Sequence, residues 1–273
     1  MYPTLFHIGP IPIRSYGVMV LIGFLLALWY VMRTAQRRMA GRKPDEPGVI
    51  SPERIFDMSL IGLFIGILGT RVVYVLLNLG EFRQNPLDVF KIWTGGLTFL
   101  GAPIFAFIYL YWCCRRYQYR FLELADLIAP AFALGYAIGR IGCFLNGCCY
   151  GHACDLPWGV RFHFENESVS YTTAASHPTQ IYATLMSLLT FFLLDRWSRR
   201  PHRDGEIFLG YIALYCLYRF IDENFRKGAT AQIFILGLTH AQVFCVALLP
   251  IALTVLWLLR RRSAIPAAKE AAP

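Results

Sequence analysis

Residues 51–78 read SPERIFDMSLIGLFIGILGTRVVYVLLN. The stretch opens with the signature of a helix start. Ser51 supplies a side-chain oxygen for the first free N–H groups, and Pro52 fits the first helical position, where its missing N–H costs nothing. Glu53 sets a negative charge at the positive end of the helix dipole. From Ile55 the residues are apolar on every side for about twenty positions, enough to cross the hydrocarbon of a bilayer. A helix that is apolar all round belongs in lipid or in a large core. Gly62, Gly66 and Thr70 recur every four residues and predict a small-residue face for close helix contact. Arg71 interrupts the apolar run, and an arginine at mid-bilayer costs about 2.5–3.5 kcal/mol, so its presence needs a reason.

The same reading extends to the rest of the chain. Seven apolar stretches stand out, at about residues 16–32, 55–78, 96–113, 122–139, 178–194, 205–224 and 242–259, each near the length of one span. Basic residues follow every second one. Arg33, Arg37, Arg38, Arg42 and Lys43 come after the first, and Arg115, Arg116 and Arg120 after the third. Arg196, Arg199, Arg200 and Arg203 follow the fifth, and Arg260, Arg261 and Arg262 close the seventh. The positive-inside rule then places the N-terminus outside (periplasmic) and the C-terminus in the cytoplasm. The expected fold class is all-α: a polytopic membrane protein of about seven transmembrane helices in a single domain over residues 1–262. A Gly/Cys-rich outer loop is expected near 140–177, and a disordered Ala/Pro-rich tail over 263–273.

Composition agrees. The 273 residues are 56% hydrophobic and 15% aromatic, with a mean hydropathy of +0.47, values foreign to a soluble α/β enzyme. The net charge of +9 sits in short blocks beside apolar runs and forms no compact basic domain, which argues against nucleic acid as a partner. No basic region followed by an apolar core precedes Tyr16, so the first span is expected to direct its own insertion.

Three arginines lie in or beside spans: Arg71, Arg140 and Arg219. A rise of 1.5 Å per residue puts Arg71 and Arg219 about 20 Å above the cytoplasmic ends of their helices, and Arg140 ends the fourth span on its outer side. The expectation is one positively charged layer near the outer headgroups, suited to an anionic lipid. Tyr215, Arg219 and Glu223 follow at i, i+4 and i+8 on one helix face, where Glu223 can neutralise and orient Arg219. The densest segment runs Gly139-Arg140-Ile141-Gly142-Cys143-Phe144-Leu145-Asn146-Gly147-Cys148-Cys149-Tyr150-Gly151. Its glycines permit tight turns, and Arg140 offers a planar fork that matches a phosphate. Of the eight cysteines, Cys113, Cys114, Cys216 and Cys245 read as small apolar residues. Cys143, Cys148, Cys149 and Cys154 crowd into the outer loop, open to a disulfide staple or a reactive thiol; their spacing lacks the usual paired zinc pattern, so no metal and no cofactor are expected.

This segment resembles the signature of the prolipoprotein diacylglyceryl transferases, bacterial membrane enzymes of seven spans, which reads roughly G-R-x-G-N-F-x-N-G-E-x-x-G. The match covers Gly139, Arg140, Gly142, Phe144, Asn146, Gly147 and Gly151; Cys143 stands where the family has asparagine, and Cys148 where it has glutamate. Further similarity runs through Ile8-Gly9-Pro10 to Tyr16-Gly17, Gly69, Arg71 and Tyr74, Gly95-Gly96-Leu97-Thr98-Phe99, His177-Pro178-Thr179-Gln180-Ile181-Tyr182, and Tyr215, Arg219, Phe220 and Glu223, with Gln242 opening the last span. Leu100 replaces a family histidine, and Ala183 a glutamate. The resemblance implies transfer of diacylglyceryl from phosphatidylglycerol to the lipobox cysteine of a prolipoprotein, with release of glycerol phosphate, in the bacterial inner membrane. It implies that Arg140 and Arg219 hold the phosphate, with Arg71, Asn146 and Glu223 also at the substrate, and that Tyr215 and His177 assist the chemistry. The partners implied are phosphatidylglycerol, prolipoprotein signal peptides and membrane lipids, for a chain acting as a monomer. The rivals are a same-fold lipid transferase with another thiol acceptor, a small-anion transporter that uses the arginines, and membrane thiol redox chemistry centred on the cysteine-rich loop.

Overall fold

The computed structural model describes residues 2–9, 11–39, 48–82, 85–91, 95–96, 98, 100–166, 169–227 and 233–261. The tail expected over 263–273, and the charges at Arg42, Lys43 and Arg262, lie outside the described residues. A hairpin of β1 (Thr4–Ile8) and β2 (Ile11–Arg14) leads into α1 (Ser15–Arg38) and α2 (Pro52–Leu77). A short α3 (Leu79–Phe82) and a 3-10 turn at Pro86–Phe90 precede α4 (Gly101–Tyr117) and α5 (Phe121–Asn146). The hairpin β3 (His163–Asn166) and β4 (Val169–Thr172) follows, then α6 (Thr179–Ser198) and α7 (Glu206–Glu223). The last hairpin, β5 (Ile233–Ile235) with β6 (Leu238–Thr239), runs into α8 (His240–Arg261). All three hairpins are antiparallel and two-stranded, and the helical periodicities gave no sign of them.

Each of the seven apolar stretches contains a long helix. By length and composition α1, α2, α5 and α8 are apolar enough to cross a membrane. The distribution of side chains agrees. Phe64, Leu77, Phe107, Phe192 and Ile251 are each more than half exposed, whereas Arg71, Asp126, Gln180, Arg219, Asp222 and Glu223 are buried. Large apolar groups outside and charges inside are what a hydrocarbon solvent selects.

Local chemistry explains the helix ends. Ser51 Oγ accepts from Arg54 N at 3.3 Å, with Pro52 in the first turn of α2. Thr239 and Gln242 form a capping box at the start of α8, Thr239 N donating to Gln242 Oε1 at 3.0 Å and Gln242 N to Thr239 Oγ1 at 3.3 Å. The cap of α7 comes from far away in sequence. Gly205 N and Phe208 N donate to the two carboxylate oxygens of Asp126 on α5, at 2.7 and 2.8 Å, and Asp126 is only 1% exposed.

The chain packs as two compact units, Met1–Tyr30 with Ala125–Pro273, and Val31–Leu124. In the first, Ala129, Leu194 and Ile207 form a core against Trp197, Phe208, Tyr211 and Leu214. In the second, α2 packs on α4 through Gly69 and Gly101: a Cβ on Gly101 would stand 2.0 Å from the Gly69 carbonyl oxygen. The close face of α2 passes through Gly62, which faces Tyr109, through Gly69, and through Thr70, whose Cα is 2.7 Å from the same Gly101 Cβ position; a Cβ on Gly66 would meet nothing within 4 Å, so the predicted row meets α4 at Gly62 and Thr70 but not at Gly66.

Candidate active site

In the second unit the burial of Arg71 is met by backbone. Its Nε donates to Val89 O, Nη1 to Gly95 O and Gly96 O, each at 2.9 Å, and Nη2 to Asp88 O. The side chain also lies over the rings of Tyr74 and Phe82. Gly95 and Gly96 adopt φ of 96° and 72°, which turns their carbonyls onto the guanidinium. Arg71 thus ties Asp88, Val89, Gly95 and Gly96 to α2.

In the first unit α5 and α7 each carry a tyrosine four residues before an arginine. Tyr136 precedes Arg140, and Tyr215 precedes Arg219. The two rings meet edge-on, 6.1 Å between centroids, and Tyr215 lies within the electrostatic reach of both arginines. Arg140 and Arg219 therefore lie in one neighbourhood of the first unit. Tyr136 is the partner that sequence reading missed, although the same spacing had been noted on α7. Its hydroxyl accepts from Arg140 Nη2, and its ring lies 4.8 Å from the guanidinium carbon.

The two arginines differ in their counter-charges. Arg219 Nη2 is 2.7 Å from Glu223 Oε2, and Nη1 is 3.5 Å from Asp222 Oδ2. Arg226 joins the group, 3.8 Å from Asp222 and 3.9 Å from Glu223. All four are buried. Thr239 Oγ1 donates to the other Glu223 oxygen at 3.2 Å. Two arginines and two carboxylates leave this quartet neutral. Arg140 has no acidic partner within 4 Å among the described residues, and its Nε is buried with no hydrogen-bond partner. The site thus carries one half-buried cation in excess, with the buried Nε atoms of Arg140 and Arg226 both lacking a hydrogen-bond acceptor among the described residues. Unpartnered buried donors at such a point favour an anionic ligand. Sequence spacing alone does not single out Asp222 and Arg226; Asp222 lies one helical turn after Arg219, and Arg226 one turn beyond Asp222, just past the end of α7.

The Gly/Cys segment folds over this group. Gly147 N donates to Phe144 O and Cys148 N to Cys143 O, both at 3.1 Å, with Gly147 at φ 75°. This pair of bonds is a Schellman motif, which ends α5 at Asn146 and turns the chain back. The start of α6 grips the returning strand: Thr179 Oγ1 donates to Cys149 O and Gln180 Nε2 to Cys148 O, both at 2.7 Å. Gly151 then passes so close to Phe225 that a Cβ there would be 2.2 Å from the Phe225 oxygen.

His177 follows this strand. Its backbone accepts from Gly151 N, and its ring Nδ1 is 3.2 Å from the Tyr182 hydroxyl. All eight cysteines are free thiols. Cys113, Cys114, Cys216 and Cys245 are buried as small apolar residues. Cys143, Cys148 and Cys149 gather their sulfurs within 4.8 Å of one another. Hydrogen bonds from the Cys143 and Cys148 thiols hold the Cys149 thiol well below the usual range, with the charges of Arg140 and Arg226 acting in the same sense against burial.

The sequence matches the family model for prolipoprotein diacylglyceryl transferase over residues 3–258. The chain belongs to the prolipoprotein diacylglyceryl transferase family. Similar members carry the name phosphatidylglycerol–prolipoprotein diacylglyceryl transferase. One, from Vibrio vulnificus, is 34% identical over 228 residues, 82% of this chain and 79% of its own. One from Clostridium tetani is 33% identical over 237 residues, covering 87% and 90%. One from Serratia proteamaculans is 31% identical over 280 residues, covering 95% and 94%.

Proposed function

We propose that this family member transfers the diacylglyceryl group of phosphatidylglycerol to the lipobox cysteine of a prolipoprotein, the first step of lipoprotein maturation. The observation that carries the reading is Arg140, a half-buried guanidinium with no carboxylate within 4 Å among the described residues and with a buried Nε that has no hydrogen-bond partner there. A phosphodiester supplies the missing charge and acceptors. In the reaction the acceptor thiolate attacks the glycerol carbon, the carbon–oxygen bond to phosphate breaks, and glycerol phosphate leaves. Arg140 gains strength as charge builds on the departing phosphate, and removing one such donor costs about 10²–10³ in rate. Arg219 acts from within the neutral quartet, which sets its position, and Glu223 orients it. Tyr215 lines the approach between the two arginines, while Asn146 ends α5 beside the thiols. His177 is the candidate base next to Tyr182, and Arg71 contributes by shaping its loop.

The membrane arrangement belongs to the same proposal: seven spans in the bacterial inner membrane, N-terminus periplasmic, C-terminus cytoplasmic, the chain acting as a monomer. The helix ends support it. Basic residues occupy the last turn of α1, α4, α6 and α8, while α2, α5 and α7 have none there. That alternation is what the positive-inside rule requires of seven spans.

The deciding experiment is complementation of a transferase-depleted bacterium, with mass spectrometry of lipoprotein amino-termini. Diacylglyceryl-modified cysteine is the expected product. Failure to rescue, with the protein inserted and no lipid–thioether formed, overturns the reading. One observation favours a second reading, a different thiol acceptor: Cys143 and Cys148 replace residues that the family signature conserves as asparagine and glutamate. A thioether found on another thiol would support it.

A further inference from the structure

Along the chain, the spacing of Cys143, Cys148 and Cys149 lacks the paired pattern of a zinc site. The fold removes that objection. Cys143 is three residues before the α5 cap and Cys148 two residues after it, the two positions that a Schellman motif brings into contact. Cys149 then adopts φ +66°, an uncommon left-handed conformation for a residue with a side chain, and its sulfur completes a triangle. The three sulfurs lie within 4.8 Å of one another. Around one zinc ion, with Zn–S bonds of about 2.3 Å, sulfurs stand about 4 Å apart, so metal binding needs a contraction of less than about 1 Å. Cys143 and Cys148 are half-buried and Cys149 is exposed, so the triangle opens outward.

We propose that Cys143, Cys148 and Cys149 form a three-sulfur site for a thiophilic d10 cation of the zinc class, with the fourth coordination position open to an incoming thiol. Soft thiolates select such ions over hard cations, and three protein ligands with one open position is the pattern of a working rather than a structural zinc. Three thiolates and Zn²⁺ leave a single negative charge, and the fields of Arg140 and Arg226 reach this cluster. Cys154 stays outside the triangle, its backbone N–H bonded to Ala175 O at 2.8 Å.

The second half of the inference rests on the transferase reading. An acceptor cysteine thiol binding in the fourth position would lose its proton to solvent and remain a nucleophile. It would then attack the glycerol carbon as the phosphate leaves. That route supplies the thiolate in a chain where Leu100 stands in place of a basic side chain.

The test uses the full-length protein in detergent micelles, reduced, stripped of metal and titrated with Zn²⁺, and separately with Cd²⁺ to read sulfur-to-metal charge transfer. About one tightly held ion per chain is expected. Cys143→Ser, Cys148→Ser and Cys149→Ser should each weaken binding by about 100-fold or more, and Cys154→Ser should leave it unchanged. Monodisperse elution of every variant guards against misfolding as the cause. With Co²⁺ in the site, a lipobox peptide should change the visible spectrum, and its cysteine-to-serine analogue should not. Stoichiometric binding that survives in the three variants, or no binding by the reduced wild type, overturns the site. Zinc binding without a response to the peptide overturns only the acceptor role. Metal binding with no thioether product in cells would leave the site standing and sink the transferase reading instead.

Discussion

At the scale of single residues, the difference between Arg140 and Arg219 is one of neighbours. Arg219 shares two carboxylates with Arg226, while Arg140 leans on the Tyr136 hydroxyl and ring. Arg140→Ala should therefore lower transfer by about 10²–10³ with little loss of stability, measured as thioether product in membranes at matched protein levels. Arg140→Lys should recover part of the rate, because the charge returns without the planar fork. Glu223→Gln should behave differently. It leaves the buried quartet with an excess positive charge, and breaking such a group costs about 3–5 kcal/mol, so its main effect should be a lowered unfolding midpoint in detergent. Activity lost at full stability in Glu223→Gln would show the carboxylate to be chemical rather than structural.

At the scale of elements, the site is held by caps. Asp126 closes the start of α7 from α5 with two backbone hydrogen bonds. Replacing a capping residue with alanine costs about 0.5–2 kcal/mol, and the buried N–H groups left behind put Asp126→Ala at the upper end. Thermal unfolding in detergent should show the drop, and Asp126→Asn should be milder because its amide oxygen still accepts one bond. In the second unit, Gly101→Ala would force its methyl onto the Gly69 carbonyl, a clash that should cost about 1–3 kcal/mol by moving the α2–α4 pair apart. An unfolding midpoint equal to the wild type would refute that contact.

At the scale of the whole molecule, the polarity is reversed relative to a water-soluble protein: charges such as Asp126 and Glu223 lie inside, and side chains such as Phe64 and Ile251 lie outside. The alternation of basic helix ends predicts topology directly. A reporter active only in the cytoplasm should work when fused after Arg261, and one active only in the periplasm should work when inserted near Trp158. Cytoplasmic activity at Trp158 would break the seven-span arrangement. Four of the long helices are long and apolar enough to cross a membrane. The other three, α4, α6 and α7, are shorter or more polar, partly because α6 and α7 carry the residues that hold the site.

Much of this was legible in the chain itself. Continuous apolar runs mark the long helices, basic blocks mark the ends of every second one, and Ser51-Pro52-Glu53 marks a helix start by local bonding alone. The spacing of Tyr215, Arg219 and Glu223 fixes one face of α7, since helical geometry is short-range and follows from residue count. Other features needed the chain brought back on itself. Tyr136 meets Tyr215, Asp126 caps α7, and Arg71 gathers the carbonyls of a loop some twenty residues on, none of which a local pattern encodes. The three cysteines were plain to read, but their meeting depends on a left-handed turn at Gly147 and another at Cys149. Sequence spacing measures distance along the chain, and only the reversal of the chain at the end of α5 turns that spacing into a triangle of sulfurs.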